Sequence, residues 1–147
     1  MHNKIIGYTT GVFDMFHIGH LHLLKKAKNH CDYLIVGVSS DELVKEYKQK
    51  KPIIPFEHRM EIIASLSCVD EVIVQSHRDK LKQYHDVGYD VMFVGDDWKG
   101  SDIFNTVEQQ LEERGASVEY FDYTKNISST RFTKILQEIY DSEKLLK

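Results

Sequence analysis

Short apolar runs alternate with amphipathic stretches along the chain, and this pattern predicts its secondary structure. Five runs are apolar enough for buried strands: residues 4–11, 33–39, 71–74, 91–94 and 117–121. Helical spacing of apolar residues follows them: residues 19–29, 55–66, 80–87, 103–114 and a last helix opening at Ser128 or Ser129. A capping box at residues 39–42 opens one more short helix. This alternation predicts an α/β, Rossmann-like, doubly wound fold with a mainly parallel five-stranded sheet and helices on both faces.

Composition narrows the class of protein. The 147 residues, 41% of them hydrophobic, suit one domain with a proper core, spanning residues 1–147. The net charge of −4 argues against a nucleic-acid partner, because a general nucleic-acid binder would be basic. Cys31 and Cys68 suit small buried thiols in a reducing cytosol rather than a disulfide framework. With no signal-peptide pattern and no apolar run long enough for a bilayer, we expect a cytoplasmic protein without a membrane partner.

The turn from the first strand into the first helix has the composition of a phosphate site. His17 and His20 lie three residues apart, so their imidazoles share one face of the helix start. Unpaired backbone N–H groups and the helix dipole favour an anion there, and Gly19 lets it approach the backbone. The alternatives are histidines that only cap or pack, and, more weakly, a zinc site that lacks further ligands with recognisable spacing.

Asp14 followed by His17-Ile18-Gly19-His20 resembles the H-x-G-H signature of the nucleotidyltransferase superfamily. Three further stretches match the family in the same order, namely residues 56–59, 95–98 and 127–130. The wider chain is similar to the glycerol-3-phosphate cytidylyltransferase branch of this superfamily. The resemblance implies transfer of a cytidylyl group from CTP to a small phosphorylated alcohol, with glycerol 3-phosphate giving CDP-glycerol for a cell-surface polymer. It also implies Mg2+ carried by the CTP phosphates, and a homodimer. Alternatives are phosphoethanolamine, phosphocholine or another polyol phosphate as acceptor, ATP as donor, or a non-catalytic nucleotide-binding module.

The resemblance also assigns roles to single residues. The predicted catalytic residues are His17, His20 and Lys48, since nucleotidyl transfer needs donors where charge builds on the α-phosphate. The predicted CTP contacts are Gly11, Val12, Phe13, Asp14, Lys50, Gly95, Asp96, Thr124, Ile127, Ser128, Ser129 and Thr130. The predicted acceptor contacts are Lys48, Arg59, Lys80 and Tyr123. No protein ligand for a metal ion is predicted.

Several of these segments also have a structural interpretation. The basic segment 45–52 could be a solvated charge run, but it follows the second strand at the ligand-binding edge of such sheets. We therefore expect a loop that closes over ligand. Residues 128–130 could be an N-cap, and residues 95–98 a helix-entry turn with an exposed tryptophan.

The chain departs from the resemblance at two positions. Val12 stands where relatives often carry threonine or cysteine, so any contact there goes through the backbone. Tyr123 stands where many relatives carry arginine, which removes a guanidinium near the triphosphate. Lys125 or Arg131 could supply that charge.

Overall fold

The computed structural model describes residues 4–122 and 129–145 of the chain. Five parallel strands form one sheet in the order β3-β2-β1-β4-β5. The strands are β1 (Ile6–Gly11), β2 (Tyr33–Ser39), β3 (Glu71–Gln75), β4 (Val91–Gly95) and β5 (Ser117–Phe121). The chain adds strands outward from β1 to β3 and then returns to place β4 beside β1. The strand order therefore reverses between β1 and β4, and the carboxyl ends of the strands at such a reversal form the usual ligand crevice.

Helices connect the strands and complete the predicted α/β fold. They are α1 (Ile18–Asn29), α2 (Asp41–Lys48), α3 (Phe56–Ala64), α4 (Lys80–Val87), α5 (Asp102–Glu112) and α6 (Ser129–Leu145), with a 3₁₀ turn at Asp96–Trp98. These elements confirm the predicted order of strands and helices, and β2, α4 and β5 have the predicted bounds. No described helix is both long and apolar enough to cross a membrane.

Two apolar layers cover the faces of the sheet. On one face Leu24 of α1 and Ile63 of α3 pack against Val36 of β2. The other face buries Ile35 of β2 with Leu111 of α5. Ile35 and Val36 are neighbours in sequence and point to opposite faces, as the period of a strand requires. The near-continuous apolar composition of β2 reflects this burial on both faces.

The segment between β2 and α3 differs from its prediction in two respects. The predicted basic loop 45–52 is helical in its first half, because α2 continues through Lys48 and ends at Gln49 with φ 56°. Ser40 alone caps this helix, accepting a hydrogen bond from the Leu43 N–H at 3.1 Å. The predicted capping box does not form, because Leu43 occupies the position from which a side-chain acceptor would return the bond.

Candidate functional site

His17 and His20 form a reciprocal cap at the start of α1. The Gly19 N–H donates to His17 Nδ1 at 3.1 Å, and the His17 N–H donates to His20 Nδ1 at 3.3 Å. The two rings stack with their centroids 3.9 Å apart. Because each Nδ1 accepts, each neutral ring carries its proton on Nε2, across the ring from the cap. One of the N–H groups at the helix start, that of Gly19, is therefore engaged by His17. The two histidines do cap the helix, and their contact with phosphate stays a prediction.

Aromatic neighbours keep His20 neutral. The Phe13 ring meets its imidazole edge to face and the Phe16 ring stacks on it, each with centroids 5.4 Å away. Burial lowers the pKa of His20 to about 4, with a further lowering from His17 and an opposing effect from Asp14. Burial also lowers the pKa of His17. At neutral pH both imidazoles are uncharged donors, so positive charge at this site must come from other residues.

Asp14 connects the turn between β1 and α1 to the segment before α3 through hydrogen bonds. This carboxylate is buried and accepts the N–H groups of Ile53 and Ile54, both at 2.8 Å. The turn has left-handed backbone at Phe13 and Met15, with φ of 54° and 52°. Non-glycine residues adopt this region at a cost, so tertiary contacts must hold it. Asp14 supplies such contacts, a role the sequence did not predict; its CTP contact stays a prediction.

Arg59 forms a second set of hydrogen bonds that hold the same turn. Its side chain is 1% exposed. Nη1 donates to Val12 O at 2.7 Å and to Ser39 O at 2.8 Å, and Nε donates to Ile54 O at 2.9 Å. Nη2 pairs with Asp41 Oδ1 at 2.6 Å. All three guanidinium nitrogens of Arg59 therefore bind protein groups. Arg59 was predicted to contact the acceptor substrate, and its burial weighs against that prediction.

A basic cluster lies on the segments that follow β2 and β3. It consists of Lys48, Lys50, Arg78 and Lys80. Lys80 opens α4, and its Nζ lies 3.5 Å from Thr10 Oγ1 near the end of β1. Burial and then Arg78 lower the pKa of Lys80 to about 8. Burial, Lys50 and Arg78 lower the pKa of Lys48, against an opposing effect of Asp14. Within the described residues, no salt bridge joins a member of the basic cluster to a carboxylate.

Sequence reasoning assigned three members of the basic cluster and missed Arg78. The usable signal was its position shortly after the third strand, at the same sheet edge as the other assigned residues.

The segment after β4 lies on the other side of the strand reversal from the basic cluster. Gly95 ends β4 in extended backbone, and exposed Asp96 begins the 3₁₀ turn. Trp98 is 38% exposed and its ring lies 5.5 Å from that of Phe104, as the helix-entry interpretation expects. At the end of β1, Gly11 packs so closely that an added Cβ would lie 2.9 Å from the Phe13 ring. The structure thus brings the predicted contacts after β1 and β4 to neighbouring strand ends.

Comparison with known proteins defines the family. Residues 8–135 match the family model described as cytidylyltransferase-like. The chain belongs to the cytidylyltransferase-like family. It is 42% identical over 134 residues to a glycerol-3-phosphate cytidylyltransferase of Bacillus spizizenii, a match that covers 89% of this chain and 95% of the relative. It is 41% identical over 137 residues to the glycerol-3-phosphate cytidylyltransferase of Bacillus subtilis, a match that covers 92% of this chain and 96% of the relative.

A solved structure supports the same fold. The lipopolysaccharide core biosynthesis protein of Thermoplasma volcanium superposes with a TM-score of 0.68 at 28% identity, covering 85% of this chain and all of the other. This agreement confirms the Rossmann-like architecture for the cytidylyltransferase-like chain.

Four of the predicted ligand contacts lie outside the described residues. They are the acceptor contact Tyr123 and the CTP contacts Thr124, Ile127 and Ser128. Ser129 opens α6, as one of the two predicted starts, and Thr130 follows it in that helix. The ligand contacts assigned to these residues, and to Val12, Phe13 and Lys50, stay predictions.

The donor set of the site suits anions better than a metal ion. In residues 4–122 and 129–145, no group of three or more His, Cys, Asp or Glu side chains could hold a metal ion. Near the ends of β1, β2 and β3 lie imidazoles, lysines and Arg78, besides the buried Arg59 and Asp14, which contact protein groups. Imidazoles, lysines and arginines bind phosphate oxygens.

Proposed function

We propose that this chain transfers a cytidylyl group from CTP to glycerol 3-phosphate, giving CDP-glycerol and pyrophosphate. Identity above 40% to two glycerol-3-phosphate cytidylyltransferases, over nearly their full length, supports this substrate pair. The structural observation that carries the proposal is the His17–His20 cap. It fixes both imidazoles through Nδ1, so that Nε2 carries the proton of each neutral ring.

The reaction needs positioning and charge stabilisation rather than covalent catalysis. A phosphate oxygen of the acceptor forms a bond to the α-phosphorus of CTP, while the bond from that phosphorus to the bridging oxygen breaks and pyrophosphate leaves. The Nε2–H groups of His17 and His20 donate to the α-phosphate oxygens, where negative charge is concentrated in the transition state. Lys48 reduces the repulsion between acceptor and triphosphate. Mg2+, bound through the CTP phosphates, would neutralise charge on the leaving pyrophosphate.

The strand order supports a division of the substrates between the two halves of the site. The cytidine would lie on the β4 side of the reversal, near Gly95 and Asp96. The acceptor would lie on the β2 and β3 side, near Lys48 and Lys80. The two phosphate groups would then meet at the end of β1, beside the histidine pair.

Three further expectations belong to this proposal. We expect the enzyme to act in the cytoplasm as a homodimer, and its product to serve synthesis of a cell-surface polymer. Light scattering of the purified protein would measure the oligomeric state.

Pyrophosphate release from a panel of substrates tests the proposal directly. The purified chain would be offered each of four nucleoside triphosphates with glycerol 3-phosphate, phosphocholine, phosphoethanolamine and other polyol phosphates. Release with CTP and glycerol 3-phosphate is expected. Pyrophosphate release only with ATP would refute CTP as the donor, and release only with another phosphate would refute glycerol 3-phosphate as the acceptor. No release with any substrate would favour a non-catalytic module.

Substitutions by asparagine test the role of the histidine pair. Asparagine can still accept the backbone N–H at the cap, but it has no group in the position of Nε2. His17→Asn and His20→Asn should each lower kcat about 100-fold or more, the scale for losing one oxyanion donor. His22→Asn is the matched control, because His22 is an exposed residue of the same helix. Near-normal turnover by both cap variants would remove the histidines from the mechanism.

A further inference from the structure

Arg78 is held over an aromatic ring at the carboxyl edge of the sheet. It lies in the connection between β3 and α4, and its guanidinium carbon is 4.4 Å from the centre of the Tyr47 ring. Tyr47 belongs to the last turn of α2 and directly precedes Lys48, whose Nζ lies 5.7 Å from the same ring centre. One ring therefore positions two cations from different segments.

Arg78 belongs to a group of like charges. Among the described residues it has no salt bridge. Neighbouring Asp79 caps α4 by accepting the Lys82 N–H, and Asp86 lies 3.8 Å from His77. Arg78 instead faces Lys48 and Lys80, and its charge lowers the pKa of both lysines. Gathered like charges raise the free energy of the unliganded protein, and an anion bound among them would offset that cost.

We propose that Arg78, stacked on Tyr47, binds the phosphate of the acceptor beside Lys48 and Lys80. The inference deepens the proposed function and rests on it. The side chain is exposed, so a ligand can reach it. A guanidinium can donate two parallel hydrogen bonds to a phosphomonoester, and stacking on a ring pre-organises that fork.

The topology assigns Arg78 to the acceptor rather than to the nucleotide. β3 is the edge strand on the far side of β1 from β4. With strands about 4.8 Å apart, the ends of β3 and β4 are separated by about 14 Å. The connection that carries Arg78 therefore lies in the half of the site opposite Gly95 and Asp96.

Steady-state kinetics with CTP and glycerol 3-phosphate varied separately tests the proposal. Arg78→Ala should raise the KM for glycerol 3-phosphate at least tenfold, the effect of losing a charge-assisted hydrogen bond. It should leave the KM for CTP within about twofold. Arg78→Lys should recover part of the loss, because it restores the charge without the fork. Arg114→Ala is the matched control: it removes the same charge just before β5, at the opposite edge of the sheet.

Tyr47 variants separate ligand binding from a merely structural role. Tyr47→Leu removes the ring and should raise the acceptor KM several-fold, whereas Tyr47→Phe keeps the ring and should leave it unchanged. A rise in the CTP KM alone, or Arg78→Ala kinetics equal to those of the Arg114 control, would overturn the proposal.

Calorimetric titration distinguishes failure of this inference from failure of the proposed function. Glycerol 3-phosphate would be titrated into the wild type and into Arg78→Ala. Binding that depends on Arg78 in a protein without cytidylyl transfer would refute the function and keep the anion site. Turnover or binding that Arg78→Ala leaves unchanged, or a wild type that does not bind glycerol 3-phosphate, would refute the anion site.

Discussion

Replacing Arg59 by methionine should destabilise the whole domain. Arg59 donates four hydrogen bonds, to Val12, Ser39, Ile54 and Asp41, and thereby joins the turn after β1, the end of β2 and the segment before α3. Methionine keeps much of the aliphatic volume but leaves these acceptors without their donor. The substitution therefore removes polar contacts with little change in packing.

The size of the effect follows from burial. Removing one partner of a buried ion pair typically costs about 3–5 kcal/mol. Here the Asp41 side chain is 37% exposed, so water can partly replace the lost guanidinium. The lower end, about 3 kcal/mol, is the better expectation. That is a large share of the roughly 5–15 kcal/mol by which ordinary domains are stable.

Urea unfolding followed by circular dichroism measures this loss. The midpoint should fall with the slope unchanged, since the same surface is exposed on unfolding. Arg114→Met is the control, a surface change for which a shift within about 0.5 kcal/mol is typical. An Arg59→Met midpoint equal to that of the control would refute the structural role. If Arg59→Lys folded with wild-type stability and raised only the acceptor KM, the original assignment to the acceptor would be right.

Two predictions concern pH. His20, with its pKa lowered from 6.5 to about 4, binds fewer protons in the folded than in the unfolded protein between those values, so this residue makes stability fall as pH falls through that range. The melting temperature of His20→Asn should drop less than that of the wild type between pH 7.5 and 5, and equal drops would contradict the buried neutral imidazole. Lys80, with its pKa lowered to about 8, should lose its charge as pH rises, so the KM for glycerol 3-phosphate should increase between pH 7 and 9.5 while that for CTP changes less. Lys80→Arg should flatten this increase, because arginine stays protonated, and an increase that persists in Lys80→Arg would exclude Lys80 as its source.

The strands and their order in the chain were predictable because the information is local. A buried parallel strand such as β2 is apolar along its whole length, and Ser117–Phe121 lies between a positive-φ glycine, Gly115, and polar residues. Helix ends were harder. The basic composition of residues 45–52 suggested a loop, yet lysine and glutamate are good helix formers, and α2 continues to Lys48.

Arg59 and Asp14 were the residues whose roles sequence reasoning could not predict. An arginine near a helix start is usually exposed, although its spacing from Phe56 and Ile63 places Arg59 on the buried face of α3. Its partners Val12 and Ser39 lie 47 and 20 residues away in sequence. Asp14 likewise meets Ile53 and Ile54 at separations of 39 and 40 residues. Only the packing of α3 under the turn brings these groups together, and no pattern in a single sequence encodes it.

We expect the two histidines and the basic cluster to play different electrostatic parts in the site. Neutral imidazoles with pKa values below the usual range cannot hold a triphosphate by charge, but their fixed Nε2–H groups are well suited to a transition state. The lysines of the basic cluster and Arg78 form no salt bridge with a carboxylate among the described residues, so we expect them to bind ground-state phosphates. Loss of a histidine should therefore reduce kcat, whereas loss of Arg78 should raise the acceptor KM. A histidine variant that raised only the acceptor KM, or an Arg78 variant that lowered only kcat, would contradict this assignment of roles.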